Sequence, residues 1–182
     1  SPGKDVENLQ IARKFSDGFD IFAIEIIANS TGMNDLAVGH PSSTASISKS
    51  FGTNAIKDIG KQKTMIISTG KGFSNNTLSK SLSSLWNCSD AIKDEGLAIL
   101  LAECKFGIGS DGIQSFIDGR MNLENLRRPS QYVDGMENLL YITEIQKKFQ
   151  LGLLSILPTH YTKKLNIVSF DGIKQVMDYI LK

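Results

Sequence analysis

The segment Thr69-Gly70-Lys71-Gly72, followed by Asn75, Asn76, Lys80 and Ser83, is the first place in the chain where residue types and spacing suit chemistry. Two glycines let backbone approach a ligand closely, two lysines bring positive charge, and a helix starting near Asn75 presents N–H donors. That combination fits a small anion such as a carboxylate. It does not fit a nucleoside triphosphate, because neither GxxxxGK[ST] nor GxGxxG spacing is present. A second loop carries Glu103, Cys104, Gly107, Gly109 and Gly112 after the next apolar run, and the two turns are expected to share one cleft.

No residue stands out as catalytic. Ser68 and Cys104 end apolar runs without a base in any recognisable motif. Cys104 reads first as a strand-end packing residue, with activation of its thiol by the neighbouring Lys105 as the alternative. Glu103 has no carboxylate partner for acid–base work and reads as a loop cap. His40 and His160 are the only histidines. The first precedes Pro41 in a turn and the second starts a helix, and with no HxH, HExxH or paired-cysteine spacing no metal site is expected. Cys88 and Cys104 are read as reduced, buried, small apolar side chains.

Positioning these residues requires strands that alternate with helices. Residues 5–15 carry apolar side chains near helical spacing until Asp17-Gly18 breaks them. Phe19 to Ile27 is rich in β-branched and aromatic residues, Asn29 to Gly32 supplies turn chemistry, and Met33 to Val38 returns as an antiparallel partner. Ser42-Ser43-Thr44 caps a helix expected to reach about Ile59. Thr64 to Ser68 and Leu97 to Ala102 read as strands buried on both faces. Between them Leu78, Leu82, Leu85, Trp86 and Ile92 mark the inward side of a helix from Asn75. Short helices follow around 113–117 and 123–126, then a helix from Met136 to Phe149, a strand over 151–157, a brief strand over 167–169 and a closing helix over 171–181. The fold class is α/β: a layered α/β/α arrangement around a largely parallel sheet, with the N-terminal β-hairpin at its edge. The carboxyl ends of such strands, where loops converge, are where ligands bind.

Composition narrows the partners. The 182 residues suit a single domain over 1–182, and 41% hydrophobic with 21% charged residues is an ordinary globular balance. A formal charge of +1 and the short Leu126-Arg127-Arg128-Pro129 cluster make a nucleic-acid partner unexpected. No stretch reaches the roughly 20 apolar residues that cross a bilayer, and no basic-then-apolar leader opens the chain, so a cytoplasmic protein without a membrane partner is expected. The chain begins with Ser1 and enters a helical pattern almost at once, which reads as a piece of a longer protein.

The order of features resembles the C-terminal domain of the nickel-dependent lactate racemase family, over essentially the whole chain. The residues that carry the resemblance are the strand 19–27 with its glycine turn and return strand, then Met65-Ile66-Ile67-Ser68-Thr69-Gly70 with Asn75-Asn76-Thr77-Leu78. The run Glu95-Gly96-Leu97-Ala98-Ile99-Leu100-Leu101-Ala102-Glu103-Cys104-Lys105-Phe106-Gly107-Ile108-Gly109 is the most specific part. The resemblance implies one wall of a 2-hydroxy-acid cleft, with a small carboxylate as ligand and the N-terminal domain of the same protein as partner. It implies a nickel-pincer nucleotide in the full-length protein and none held by this fragment, which is expected to be inactive alone. The family places a glutamine and, three residues later, a lysine on the helix after the glycine turn; Lys80 and Ser83 stand there in this chain. Ser83 cannot supply an ammonium group. That departure supports an alternative, a ligand-sensing or regulatory domain, as in a transcriptional regulator, that kept the fold and lost the chemistry.

Overall fold

The computed structural model describes residues 7–29, 32–44, 47, 58–122, 124, 126 and 132–181. The chain divides into two compact units, Ser1–Asp58 and Ile59–Lys182. The Ser30-Thr31 turn, most of the helix expected to reach Ile59 and the Arg127-Arg128-Pro129 cluster lie outside the described residues.

In the first unit, helix α1 (Glu7–Ser16) precedes strands β1 (Ala23–Asn29) and β2 (Gly32–Gly39). The strands pair antiparallel, with Ile24 opposite Val38 and Ile26 opposite Leu36, and a bulge between Ile27 and Ala28. The hairpin forms an antiparallel two-stranded sheet. Alternation sends Ile27 to a buried face, where the Thr44 hydroxyl donates to Glu25 Oε1 at 2.7 Å. Ile24, Ile26, Leu36 and Val38 lie on the opposite, exposed face.

The second unit is built on a four-stranded sheet in the order β3 (Gln62–Ser68), β4 (Ile92–Leu101), β5 (Gln150–Leu154) and β6 (Val168–Phe170). Every pairing is parallel, as expected for strands with continuous apolar runs. The intervening helices are α2 (Leu78–Cys88), α3 (Asp111–Ile117), α4 (Met136–Ile145) and α5 (Thr159–Lys164), and α6 (Ile173–Ile180) closes the chain. Leu78, Leu82 and Leu85 of α2 and Leu139 and Ile142 of α4 pack on the face that carries Ile67, Ala98, Leu100, Leu151 and Leu153. Ile99 points the other way, against Phe170 and Val176 of α6. Helices therefore cover both faces, with the connecting ones gathered on one side.

Several boundaries differ from the sequence reading: β1 starts at Ala23 rather than Phe19, α4 ends at Ile145 rather than Phe149, and β5 ends at Leu154 rather than 157. Ile92, expected on the inward side of a helix, opens β4 as a buried residue, because a 3₁₀ turn at Ser89–Ala91 ends the helical run. The α2 helix starts at Leu78 rather than Asn75, because Thr77 is its cap and residues Phe73–Asn75 form a separate 3₁₀ turn. Cys88 is half-buried rather than buried.

Candidate functional site

The loops after β3 and β4 lie side by side at the carboxyl ends of the sheet and are stitched together by Asn75 and Asn76. Asn75 Oδ1 accepts from the Thr69 hydroxyl at 3.0 Å and from the Glu103 N–H at 2.7 Å. Asn75 Nδ2 donates to Glu103 Oε2 at 3.3 Å, and the Asn75 carbonyl accepts from the Cys104 N–H at 2.9 Å. One residue on, the Asn76 carbonyl accepts from the Phe106 N–H at 2.9 Å. The third loop joins through the Ile156 N–H, which donates to the Glu103 carbonyl at 3.2 Å. The structure thus brings Gly70, Lys71, Gly72, Asn75 and Asn76 together with Glu103, Cys104 and Gly107 on adjoining loops.

The donors expected from the start of α2 are already committed. The N–H groups of Leu78 and Ser79 donate to the Gly107 and Ile108 carbonyls at 3.0 and 2.9 Å, and the Lys80 N–H donates to Thr77 Oγ1 at 3.4 Å. A helix whose first N–H groups meet protein acceptors has none left for an anion. The glycine turn itself differs. Gly70 and Gly72 adopt φ of +71° and +117°. The backbone N–H groups of Lys71, Gly72 and Phe73 meet no acceptor among the described residues.

Gly109 shows why this packing needs glycine. Its φ is +70°, and a Cβ there would stand 2.4 Å from the Thr77 Cβ and 2.5 Å from Thr77 Oγ1, so no side chain fits beside the helix cap.

Cys104 is the buried packing residue the sequence suggests, and the alternative of a thiol activated by Lys105 does not hold. It is 1% exposed, and burial pushes its pKa up to about 11, opposed by a hydrogen bond with Ser81 and assisted by the Glu103 charge. Desolvation of the thiolate outweighs any help from Lys105, whose ammonium stands over the Phe106 ring at 5.1 Å. Glu103 caps the preceding loop through Asn75.

Lys80 and Ser83 take up different roles on α2. The Lys80 ammonium sits 3.2 Å from the centroid of the Phe73 ring, at the edge of the glycine turn. The Ser83 hydroxyl turns back to the Lys80 carbonyl at 2.9 Å, an exposed bond within the helix. Phe73, Phe106 and Thr77 were not picked out as site residues by sequence; only Thr77, directly before an apolar helical run, carried a readable signal as a cap.

His40 closes a turn in the first unit. Its Nδ1 lies 2.6 Å from Ser42 Oγ and its Nε2 3.2 Å from the Ser16 carbonyl, while Ser42 donates to Asp17 Oδ1 at 2.7 Å. His160 lies in the first turn of α5 and packs against Tyr161. Among the described residues no three His, Cys, Asp or Glu side chains converge as metal ligands. No described helix is long and apolar enough to cross a membrane. A cavity of about 140 Å³ lined by Gln146, Phe149, Gln150, Leu151, Asn166 and Val168 lies at the amino ends of β5 and β6, remote from the stitched loops.

No protein-family model matches the sequence, and no curated protein matches it. Among solved structures, the lactate racemase apoprotein from Thermoanaerobacterium thermosaccharolyticum superposes over 87% of this chain with a TM-score of 0.68 and 16% identity. The chain spans 40% of the length of that racemase. At this identity the likeness shows a shared fold: the α/β architecture here is lactate-racemase-like.

Proposed function

We propose that this chain is one wall of a cleft that receives a 2-hydroxy acid or a related small carboxylate, as the C-terminal domain of a longer racemase-like protein. The observation that carries the reading is the superposition on a lactate racemase, over a segment in which the carboxyl-end loops of β3 and β4 are tied into one unit. In this reading the N–H groups of Lys71, Gly72 and Phe73 receive the carboxylate, and the Lys71 and Lys80 ammonium groups supply charge. The facing wall and the reacting groups belong to an N-terminal partner domain. A reaction that depends on groups a few ångströms apart cannot proceed on one wall, so the isolated chain is inactive.

The nickel-pincer nucleotide implied by the family resemblance is assigned to the full-length protein. The described residues bring together no set of soft or imidazole donors to hold nickel, and no step is assigned to it here. The proposed setting is the cytoplasm, where the free Cys88 and Cys104 stay reduced.

A specific observation also favours the second reading, a sensing or regulatory domain. Ser83 offers its hydroxyl to the Lys80 carbonyl instead of an ammonium to a ligand, so this helix lacks the ammonium at the position where the resemblance implies one. The upstream sequence separates the two, a histidine-bearing catalytic domain against a helix-turn-helix.

Two measurements test the proposal. Titration of lactate into the 182-residue chain should shift the amide signals of residues 70–74 and 80; unchanged signals at millimolar acid reject the carboxylate site. The full-length protein should carry nickel and nucleotide and racemise hydroxy acids. Absence of all three, with the acid still bound, selects the sensing domain.

A further inference from the structure

Three large apolar side chains stand exposed at the carboxyl ends of three consecutive strands: Phe73 at 70%, Phe106 at 67% and Ile156 at 67%. The loops that carry them are tied to one another by backbone hydrogen bonds. The Asn76 N–H donates to the Phe73 carbonyl at 3.2 Å and the Asn76 carbonyl accepts from the Phe106 N–H at 2.9 Å, while Ile156 hangs from the Glu103 carbonyl. Single exposed apolar residues are ordinary, but three on adjoining loops at the carboxyl end of a parallel sheet, the end where ligands bind in such folds, offer apolar area to a ligand. Two of them also carry cations, Lys80 over Phe73 at 3.2 Å and Lys105 over Phe106 at 5.1 Å. An ammonium group on a ring face keeps donors free for an anion while the rest of the ring stays apolar.

We propose that Phe73, Phe106 and Ile156 form an apolar floor beside the Lys71 and Lys80 charges, so that the acid taken here carries a bulky apolar side chain, aryl in preference to the methyl of lactate. The inference rests on the carboxylate-cleft reading and adds the substrate's side chain to it. The cations meet the carboxylate and the rings and Ile156 remove the ligand's apolar group from water, so both halves of an amphipathic acid are matched. Lactate presents too little apolar area to use the floor.

The test titrates the 182-residue chain with lactate, 3-phenyllactate and the uncharged 3-phenylpropanol, following amide signals of residues 70–74, 80, 105–107 and 156. 3-Phenyllactate is expected to bind about tenfold tighter than lactate or better, and also tighter than the alcohol. The Phe106→Ala/Ile156→Ala variant, altered only at exposed positions outside the carboxylate donors and checked for an unchanged melting temperature, should bring 3-phenyllactate down toward the level of lactate without weakening lactate. Equal affinity of the two acids overturns the apolar floor and leaves the carboxylate cleft standing. No response to either acid overturns the cleft reading and this inference with it. An alcohol that binds as well as 3-phenyllactate shows that the charges are not used and overturns the match to an acid.

Discussion

Asn75 and Glu103 hold each other in both directions across two loops: Asn75 Oδ1 accepts the Glu103 N–H at 2.7 Å, and Asn75 Nδ2 donates to Glu103 Oε2 at 3.3 Å. Asn75 also receives the Thr69 hydroxyl at 3.0 Å and the Cys104 N–H at 2.9 Å. One side chain and one carbonyl therefore fix the spacing of the loops after β3 and β4.

Asn75→Ala leaves the Glu103 N–H and the Thr69 hydroxyl without their shared acceptor. The expected cost is about 1–3 kcal/mol in denaturant unfolding, with faster hydrogen exchange at the Glu103 and Cys104 amides. Unchanged exchange at both amides would show that the loops are held by something else.

Gly109→Ala and Gly70→Ala compare two glycines with nearly the same backbone, φ of +70° and +71°. At Gly70 nothing lies within 4 Å of the added Cβ, whereas at Gly109 the Thr77 Cβ and Oγ1 stand at 2.4 and 2.5 Å. Gly70→Ala should cost about 1 kcal/mol from the left-handed conformation alone, and Gly109→Ala roughly 2–4 kcal/mol once the displaced cap is added. Equal losses by calorimetry would refute the close approach.

Cys104 links stability to alkaline pH. Its thiol titrates near 11 in the folded chain against 9.0 when unperturbed, so the folded state keeps a proton that the unfolded state releases. The contribution is fully present below pH 9 and falls as pH rises toward 11, by up to about 3 kcal/mol. The Cys104→Ala variant should lose that slope relative to the parent chain over this range. A thiol reagent at pH 8 should label half-buried Cys88 before Cys104.

Gly152 of β5 makes room for an aromatic ring. A Cβ there would lie 2.6 Å from Phe170 Cε2 and 3.3 Å from Ile99 Cγ1. Gly152→Ala should cost roughly 1–3 kcal/mol, and combining it with Phe170→Leu should cost less than the sum of the two single changes. Strict additivity in that cycle would rule out the overlap.

The parallel core was legible because period and composition act locally: Met65 to Ser68 and Leu97 to Leu101 are continuous apolar runs, and such runs are stable only with both faces covered. Ile92 was misread because an apolar residue after a helix fits either the helix face or a new strand, and only the Ser89–Ala91 turn decides. The hairpin was legible because its β-branched run, turn residues and return strand are adjacent in sequence. Cys104 was legible as a buried residue closing an apolar run, whereas its charged neighbours left activation open until burial decided against it.

By itself the sequence determined the strand–helix alternation, the glycines at the carboxyl-end turns and the presence of Lys71 and Lys80 near them, since propensity, pattern and side-chain chemistry are properties of short segments. The tertiary structure alone decided where those groups' hydrogen bonds go. It closed the N-terminus of α2 with the Gly107 and Ile108 carbonyls and left the Lys71, Gly72 and Phe73 N–H groups without an acceptor among the described residues, because the acceptors for α2 come from a loop about thirty residues away that only folding brings within reach.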